Sequence, residues 1–331
     1  MTQLLAPRRP AVTPTELAEQ ALTRARHPVA RLVSLAEDSR SDAAARCDEA
    51  MAVLEASAQR RNHVARVIGI TGSPGSGKSS LVSRVSNAMI AADPDLTVAV
   101  VAVDPSSPSS GGALLGDRTR MVLEPGQDRI YFRSQASATA LGGLAPTTFQ
   151  VCRVLSLIFN YIIVETVGVG QSEADVRHLA DRVFLVMAPL GGDEIQYLKA
   201  GILEIPDAFV VNKWDEPAAT RTYHQLRGSL GLARPNDAHH IPIYRTSAKT
   251  GHGIDELAHG VLTMVTASNA TPVRERAPHF FTAWVRDEWG RVGARHLAER
   301  LGGARAFLAA QDGFAAARRS FDASIRAALH G

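Results

Sequence analysis

The sequence predicts an α/β fold: a mostly parallel sheet with helices on both faces, flanked by N-terminal helices and a C-terminal helical arm. Three observations carry this. From Val64 to about Ala267, apolar β-rich runs alternate with helical patterns, as consecutive βαβ units do. Several runs are nearly continuous in Val, Ile, Ala and Leu, as strands covered on both faces should be. The stretches on either side lack such runs and carry helical spacing instead.

The 331 residues can bury one large core or two modest ones. The expected division is a helical extension over 1–62, the sheet domain over 63–270 and a helical arm over 271–331. A hydrophobic content of 45% with 21% charge is that of an ordinary globular chain. The net charge of +3 comes from scattered residues, 36 basic against 33 acidic, so no nucleic-acid partner is expected. No stretch approaches the roughly 20 apolar residues of a membrane span. The opening MTQLLAPRRPAVTP has no apolar core after its charges, so a secretory signal is not expected; its arginines without acid are only weakly compatible with an organelle transit peptide. Cys47 and Cys152 stand alone with no C-x-x-C, which suits two buried thiols in a reducing cytoplasm.

In chain order, Thr13-Pro14-Thr15-Glu16 forms a capping box with proline at the first helical position. A second helix is expected from Pro28 to about Asp38. A third starts after Ser41-Asp42, with Cys47, Met51, Leu54 and Ala58 on one apolar face. The strand runs are Val64–Thr71, Thr97–Asp104, Ile130–Phe132, Tyr161–Glu165, Val183–Met187, Ala208–Asn212 and Ile241–Thr246. Ligands of such sheets bind beyond the carboxyl ends of the strands, where Thr71, Asp104, Glu165 and Asn212 fall. A long Ser/Pro/Gly-rich loop follows Asp104, either functional or disordered. Ala188–Gly201 reads either as a hinged segment or as a plain connection with Asp193 as N-cap. In the tail, Phe281, Trp284, Val285 and Glu288 suggest one aromatic helix face, and Phe314, Ala317, Phe321, Ile325 and Leu329 an apolar stripe. The tail is either a cap folded back on the sheet domain or an arm pairing with a second subunit.

The chemistry concentrates in 64–80, VARVIGITGSPGSGKSS, read as strand, loop, helix. Gly72, Gly77, Lys78 and Ser79 fit G-x-x-x-x-G-K-[ST], in which backbone N–H groups wrap phosphates, the lysine reaches the β/γ oxygens and the hydroxyl meets Mg²⁺. The candidate phosphate-binding residues are thus Gly72, Ser73, Pro74, Gly75, Ser76, Gly77, Lys78, Ser79 and Ser80. The helix from Lys78 to about Ala91 points its positive dipole end at the same place. Asn212-Lys213-Trp214-Asp215 has the form N-K-x-D. A carboxylate at Asp215 accepts two hydrogen bonds from guanine N1–H and its exocyclic amine, which adenine cannot supply. Ser247, Ala248 and Lys249, after a later strand, complete the base loop. Among acids, Asp104, Asp117 and Glu165 are the candidates to join Ser79 around Mg²⁺; each also has a plain reading as a helix cap or surface charge. Glu165-Thr166-Val167-Gly168 stands where many GTPases have D-x-x-G, with the Gly168 amide sensing the γ-phosphate. No glutamine directly follows Gly168, and Gln171 sits three residues on.

The blocks ITGSPGSGKSS, VAVDPSSPSSGGALLGDRTRM, VETVGVGQSE, GGDEIQYLKAGI, NKWD and TSAKTGHGIDEL, in that order, resemble the MeaB/ArgK/MMAA family of GTPases. That family chaperones adenosylcobalamin-dependent acyl-CoA mutases such as methylmalonyl-CoA mutase. The resemblance covers roughly residues 28–270 by motif. It implies a P-loop NTPase fold of the SIMIBI class and slow hydrolysis of GTP to GDP, stimulated by a mutase partner. It assigns phosphate and Mg²⁺ to Lys78 and Ser79, the rest of the metal shell to Asp104, Asp117 and Glu165, and guanine to Asn212, Lys213, Asp215 and Ser247–Lys249. It also implies an additional switch around Gly192–Lys199, with Lys199 among the catalytic candidates beside Lys78, Glu165 and Gly168, and a homodimer through the C-terminal helices. Lys199-Ala200, Arg133-Ser134-Gln135-Ala136 and Trp214 depart from the family pattern and bear on partner identity and switch behaviour. Rival readings are a nickel-insertion GTPase, an ATP-dependent kinase tied to amino-acid transport, and a nucleotide-gated scaffold that barely hydrolyses.

Overall fold

Strand alternation sorts the side chains onto two faces and so decides where each helix lies. The computed structural model describes residues 12–38, 40–104, 127–136, 144, 146–166, 171–189, 202–268, 271–311 and 313–330. The strands are β1 (Arg66–Gly72), β2 (Val98–Asp104), β3 (Ile130–Ala136), β4 (Tyr161–Glu165), β5 (Arg182–Met187), β6 (Ala208–Val211) and β7 (Ile243–Arg245). They form one sheet in the order β3-β2-β4-β1-β5-β6-β7. Each neighbouring pair is parallel. β1 is therefore central, with the ends of β4 and β5 on either side of its own.

The helices are α1 (Pro14–Leu22), α2 (Arg26–Glu37), α3 (Ser41–Arg60), α4 (Lys78–Ala92), α5 (Pro146–Ser156), α6 (Gln171–Leu179), α7 (Ala219–Ala233), α8 (Ile254–Thr266), α9 (Ala277–Glu299), α10 (Ala304–Ala309) and α11 (Phe314–His330). On one face, Val67, Val101, Val164 and Val183 pack under the N-terminal helices, α5, α6 and the C-terminal helices. On the other, Ile68, Ile70, Val100, Phe184 and Val210 pack under α4 and α8. Leu185, Met187, Phe209 and Val211, on the first face further along, meet α7. Among the described residues no helix is long and apolar enough to cross a membrane.

Strand ends follow their partners rather than composition. β1 starts at Arg66, not Val64, because pairing with β4 starts there; Arg66 N donates to Asn160 O (2.9 Å) and Val64 is 43% exposed. β3 runs to Ala136, well past Phe132, because all seven of its residues pair with β2. β7 shrinks to Ile243–Arg245, the length that β6 can match. α2 starts two residues before Pro28, which sits in its first turn. The Thr13 capping box forms as read: Glu16 N donates to Thr13 Oγ1 (3.2 Å) and Thr13 N to Glu16 Oε2 (2.9 Å). Cys152 is buried, but Cys47 is only partly so, because its position on α3 borders the crevice beside Asp48.

The tail folds onto the helical layer of its own chain. Phe280 stacks on Phe149 of α5 with centroids 4.7 Å apart, and Phe314 meets the same ring at 5.4 Å. Phe281 and Trp284 stand edge-on to Phe321 at 5.9 and 5.8 Å. Two residues expected on these faces point outward: Glu288 is exposed, and Leu329 is 55% exposed. Gly290, with φ of 57°, breaks α9 in its middle. Below the sheet, Asp181 and Arg276 form an ion pair whose side chains are 4% and 8% exposed. Asp181 Oδ2 also accepts from Val67 N (2.7 Å), so the pair ties the root of β1 to the start of the tail. Phe281→Ala removes the ring shared by four aromatic neighbours, Trp284, Phe307, Phe314 and Phe321, and should cost about 3–5 kcal/mol in denaturant unfolding.

Candidate nucleotide-binding site

The carboxyl end of β1 turns at Gly72 into a loop that ends at Gly77, where α4 begins. Two glycines are dictated by space. At Gly72, φ is +144° and a Cβ would lie 2.0 Å from the Val186 carbonyl oxygen. At Gly77, φ is +86° and a Cβ would lie 2.6 Å from Asn212 Nδ2. The left-handed turn at Gly77 leads into α4, whose helical ladder starts with Leu81 N donating to Gly77 O (2.9 Å). The first N–H groups of α4 thus face the loop without a side-chain cap, the arrangement that binds anions.

Lys78 is only 8% exposed. Its Nζ donates to Gly72 O (2.7 Å) and Ser73 O (2.9 Å), so the ammonium is held inside the loop by the loop's own carbonyls. Ser79 Oγ donates to Glu165 Oε1 (2.7 Å), bringing the last residue of β4 to the first turn of α4. A hydroxyl beside a carboxylate is an oxygen-only donor pair of the kind that suits Mg²⁺. Asp104 ends β2 two residues beyond the level at which Ala102 pairs with Glu165, which sets its backbone on the same rim. The Asp104 side chain, Asp117, Gly168, Asp193 and Lys199 lie outside the described residues, as do the Gly192–Lys199 segment and the long loop after Asp104. Three buried hydroxyls, Thr71 Oγ1, Ser76 Oγ and Thr166 Oγ1, have no hydrogen-bond partner among the described residues and border the loop. Thr166 escaped the motif reading; its backbone N donates to Ile70 O (3.0 Å), extending the β4 ladder one step into the site.

The base-side residues converge through Asn212, which follows β6 and is 1% exposed. Its Nδ2 donates to Ser76 O (2.8 Å), while its Oδ1 accepts from Thr246 Oγ1 (3.2 Å) and Ala248 N (3.3 Å). Asn212 therefore straps the phosphate loop to both base loops through its oxygen and one of its two amide hydrogens. Thr246, a second residue the motifs did not flag, accepts from Trp214 N (2.9 Å). Asp215 Oδ1 accepts from Ser247 Oγ (2.6 Å), and Lys249 Nζ lies 3.9 Å from Asp215 Oδ2. The Ser247 hydrogen bond, ahead of smaller contributions from the neighbouring lysines, holds the Asp215 carboxyl below the usual carboxylate range. Ser247 Oγ accepts from Thr250 N (3.1 Å), which fixes the hydroxyl's direction. Lys213 takes a left-handed φ of 55°, and its Nζ reaches only to Glu216 at 4.0 Å. The arrangement can hold a chain of phosphates at one end and a planar donor pair at the other.

Two outcomes check this geometry. Asn212→Ala leaves the buried Ser76 carbonyl and Ala248 N–H unpaired and should cost about 1–3 kcal/mol in urea unfolding. Ser247→Ala removes the bond that favours the ionised Asp215, so the carboxyl midpoint in an NMR titration should move up toward the ordinary value.

A sequence profile of the family described as "Methylmalonyl Co-A mutase-associated GTPase MeaB" matches residues 29–288. A protein of Pyrococcus horikoshii provisionally named a GTPase is 40% identical over 246 residues, 73% of this chain and 74% of that one. GTPase ArgK of Escherichia coli is 37% identical over 243 residues, 70% and 71% of the two chains. A crystal structure of a "LAO/AO transport system kinase" superposes with a TM-score of 0.60 at 24% identity, covering 90% of this chain and 89% of that one, a likeness of fold. With the phosphate loop, the base loops and the parallel sheet in the order described, the chain belongs to the MeaB family of P-loop GTPases.

Proposed function

We propose that this chain hydrolyses GTP slowly, and that its nucleotide state gates adenosylcobalamin loading into, and protects, an acyl-CoA mutase of the methylmalonyl-CoA mutase type. One observation carries the nucleotide choice: Asp215, with Ser247 on one oxygen, is strapped through Asn212 to the loop that holds Lys78. Guanine offers N1–H and a 2-amino group to that carboxylate, and adenine offers an acceptor and no amine. The mismatch leaves that carboxylate without its two donors, which favours guanine by about tenfold or more.

Phosphate binding is an exchange. Lys78 Nζ gives up Gly72 O and Ser73 O for β/γ oxygens, while the N–H groups from Gly75 to Ser79 take the remaining negative charge. Ser79 and Glu165 fit Mg²⁺, with Asp104 and Asp117 completing the candidate shell; the ion, when bound, neutralises charge shared by the β- and γ-phosphates. Water attacks in line with the leaving phosphate. Gln171 lies too far along the chain from Gly168 to stand in the usual water-orienting place, which supports slow turnover. Ordering of the Gly192–Lys199 segment by the mutase would raise it. The mutase itself is supported by the family's description. A cytoplasmic homodimer belongs to the same proposal. Because the aromatic faces of α9 and α11 are already packed within the chain, the outward side of the tail, where Val292 and Leu329 are exposed, would make the contact.

Competition binding should show GDP favoured over ADP by about tenfold or more. Equal affinity would remove the guanine reading. Adding an acyl-CoA mutase should raise the GTP turnover rate; an unchanged rate with every cobalamin-dependent mutase tried would remove the chaperone role and leave the GTPase.

A further inference from the structure

Between Lys213 and Asp215 stands an indole that the nucleotide chemistry does not use. The side chain of Trp214 is half-buried and packs against the apolar cluster that β5, β6 and α7 share. There it meets Tyr223 of α7 edge-on, with centroids 6.2 Å apart and planes at 83°. The Arg245 guanidinium, at the end of β7, lies 5.6 Å from the Trp214 ring and 5.9 Å from the Tyr223 ring. These are distances at which a cation is attracted to both aromatic faces.

Arg245 immediately precedes Thr246 and Ser247, which touch Asn212 and Asp215. The two base loops are consequently joined twice. Inside, Asn212 and the Trp214 N–H to Thr246 O bond link them through buried polar groups. Outside, Trp214 and Tyr223 meet edge-on and Arg245 lies near both rings. Asp215 directly follows Trp214 and is itself exposed, so the backbone that carries its carboxylate adjoins the residue whose ring is packed.

We propose that Trp214, clasped by Arg245 and Tyr223, is a positioning residue that determines how strongly this site prefers guanine. This rests on the guanine reading above. Shortening the indole loosens the end of the loop that carries Asp215, while Asn212 keeps its buried bonds to Ser76 and Thr246 and the phosphate loop stays as it was. The two ends of the nucleotide therefore respond differently. Misplacement of a bidentate acceptor is felt by the base alone.

The test is calorimetric titration of the full chain with GDP and with ADP. Trp214→Ala should lower the ratio of GDP to ADP affinity by about tenfold. ADP affinity should hardly change. Trp214→Phe keeps a ring for Arg245 and should recover most of the ratio. Arg245→Gln alters an exposed side chain without opening the core, and should lower the ratio in the same direction. Combined with Trp214→Ala it should add little, since both remove one clasp. A ratio unchanged in Trp214→Ala and Arg245→Gln, or both nucleotides weakened alike, overturns the proposal. A wild-type chain without preference for GDP would instead sink the guanine reading, and this inference with it.

Discussion

One buried amide holds the rim of this sheet together. Asn212 bonds the phosphate loop and the second base loop at once, and its bonds to Ser76 and Thr246 are buried. A phosphate-binding loop must keep several N–H groups pointed at one spot before the anion arrives, and repulsion among those dipoles works against it. A strap from outside the loop offsets that cost. Gly77 is the other half of the device. Its missing Cβ gives the Asn212 amide room to approach Ser76, so the glycine serves the strap as much as the turn.

The charged groups of the loop and of the base pocket bond to protein neighbours, and this shapes how the site works. Lys78 bonds loop carbonyls, Ser79 bonds Glu165, and Ser247 bonds Asp215. Each of these bonds pairs a group meant for ligand with another protein group, so none of these charges depends on the ligand for a partner. Binding then replaces one set of partners by another. The net gain comes from the difference between the sets, which is largest where charge-assisted bonds to phosphate take the place of bonds to neutral carbonyls.

Much of this was legible from residues alone. The glycine spacing, Lys78 and Ser79 need only local chain to make a loop. The N-K-x-D and Ser-Ala-Lys elements had to come together because parallel strands bring their carboxyl ends to one rim. Tertiary contacts decided the rest. β3 is four residues longer than its apolar run because β2 supplies partners for Arg133 to Ala136. Asn212 reads as a base contact in the motif, and its further part as a strut depends on the approach of Ser76, which no spacing shows. The clasp on Trp214 joins residues from β7 and α7 that no spacing rule connects. Thr166 and Thr246 look like ordinary strand-end residues until their neighbours are in place.

At the far end of β1 from the phosphate loop, Asp181 and Arg276 share a nearly dry environment. Removing one member of such a pair typically strands the other at a cost of about 3–5 kcal/mol. The segment from Arg276 onward is consequently not an appendage that could be cut away to yield a minimal catalytic fragment. Excising it would leave a buried carboxylate without its counter-ion at the foundation of the central strand, so enzyme and tail are obliged to fold, and to be inherited, as one piece.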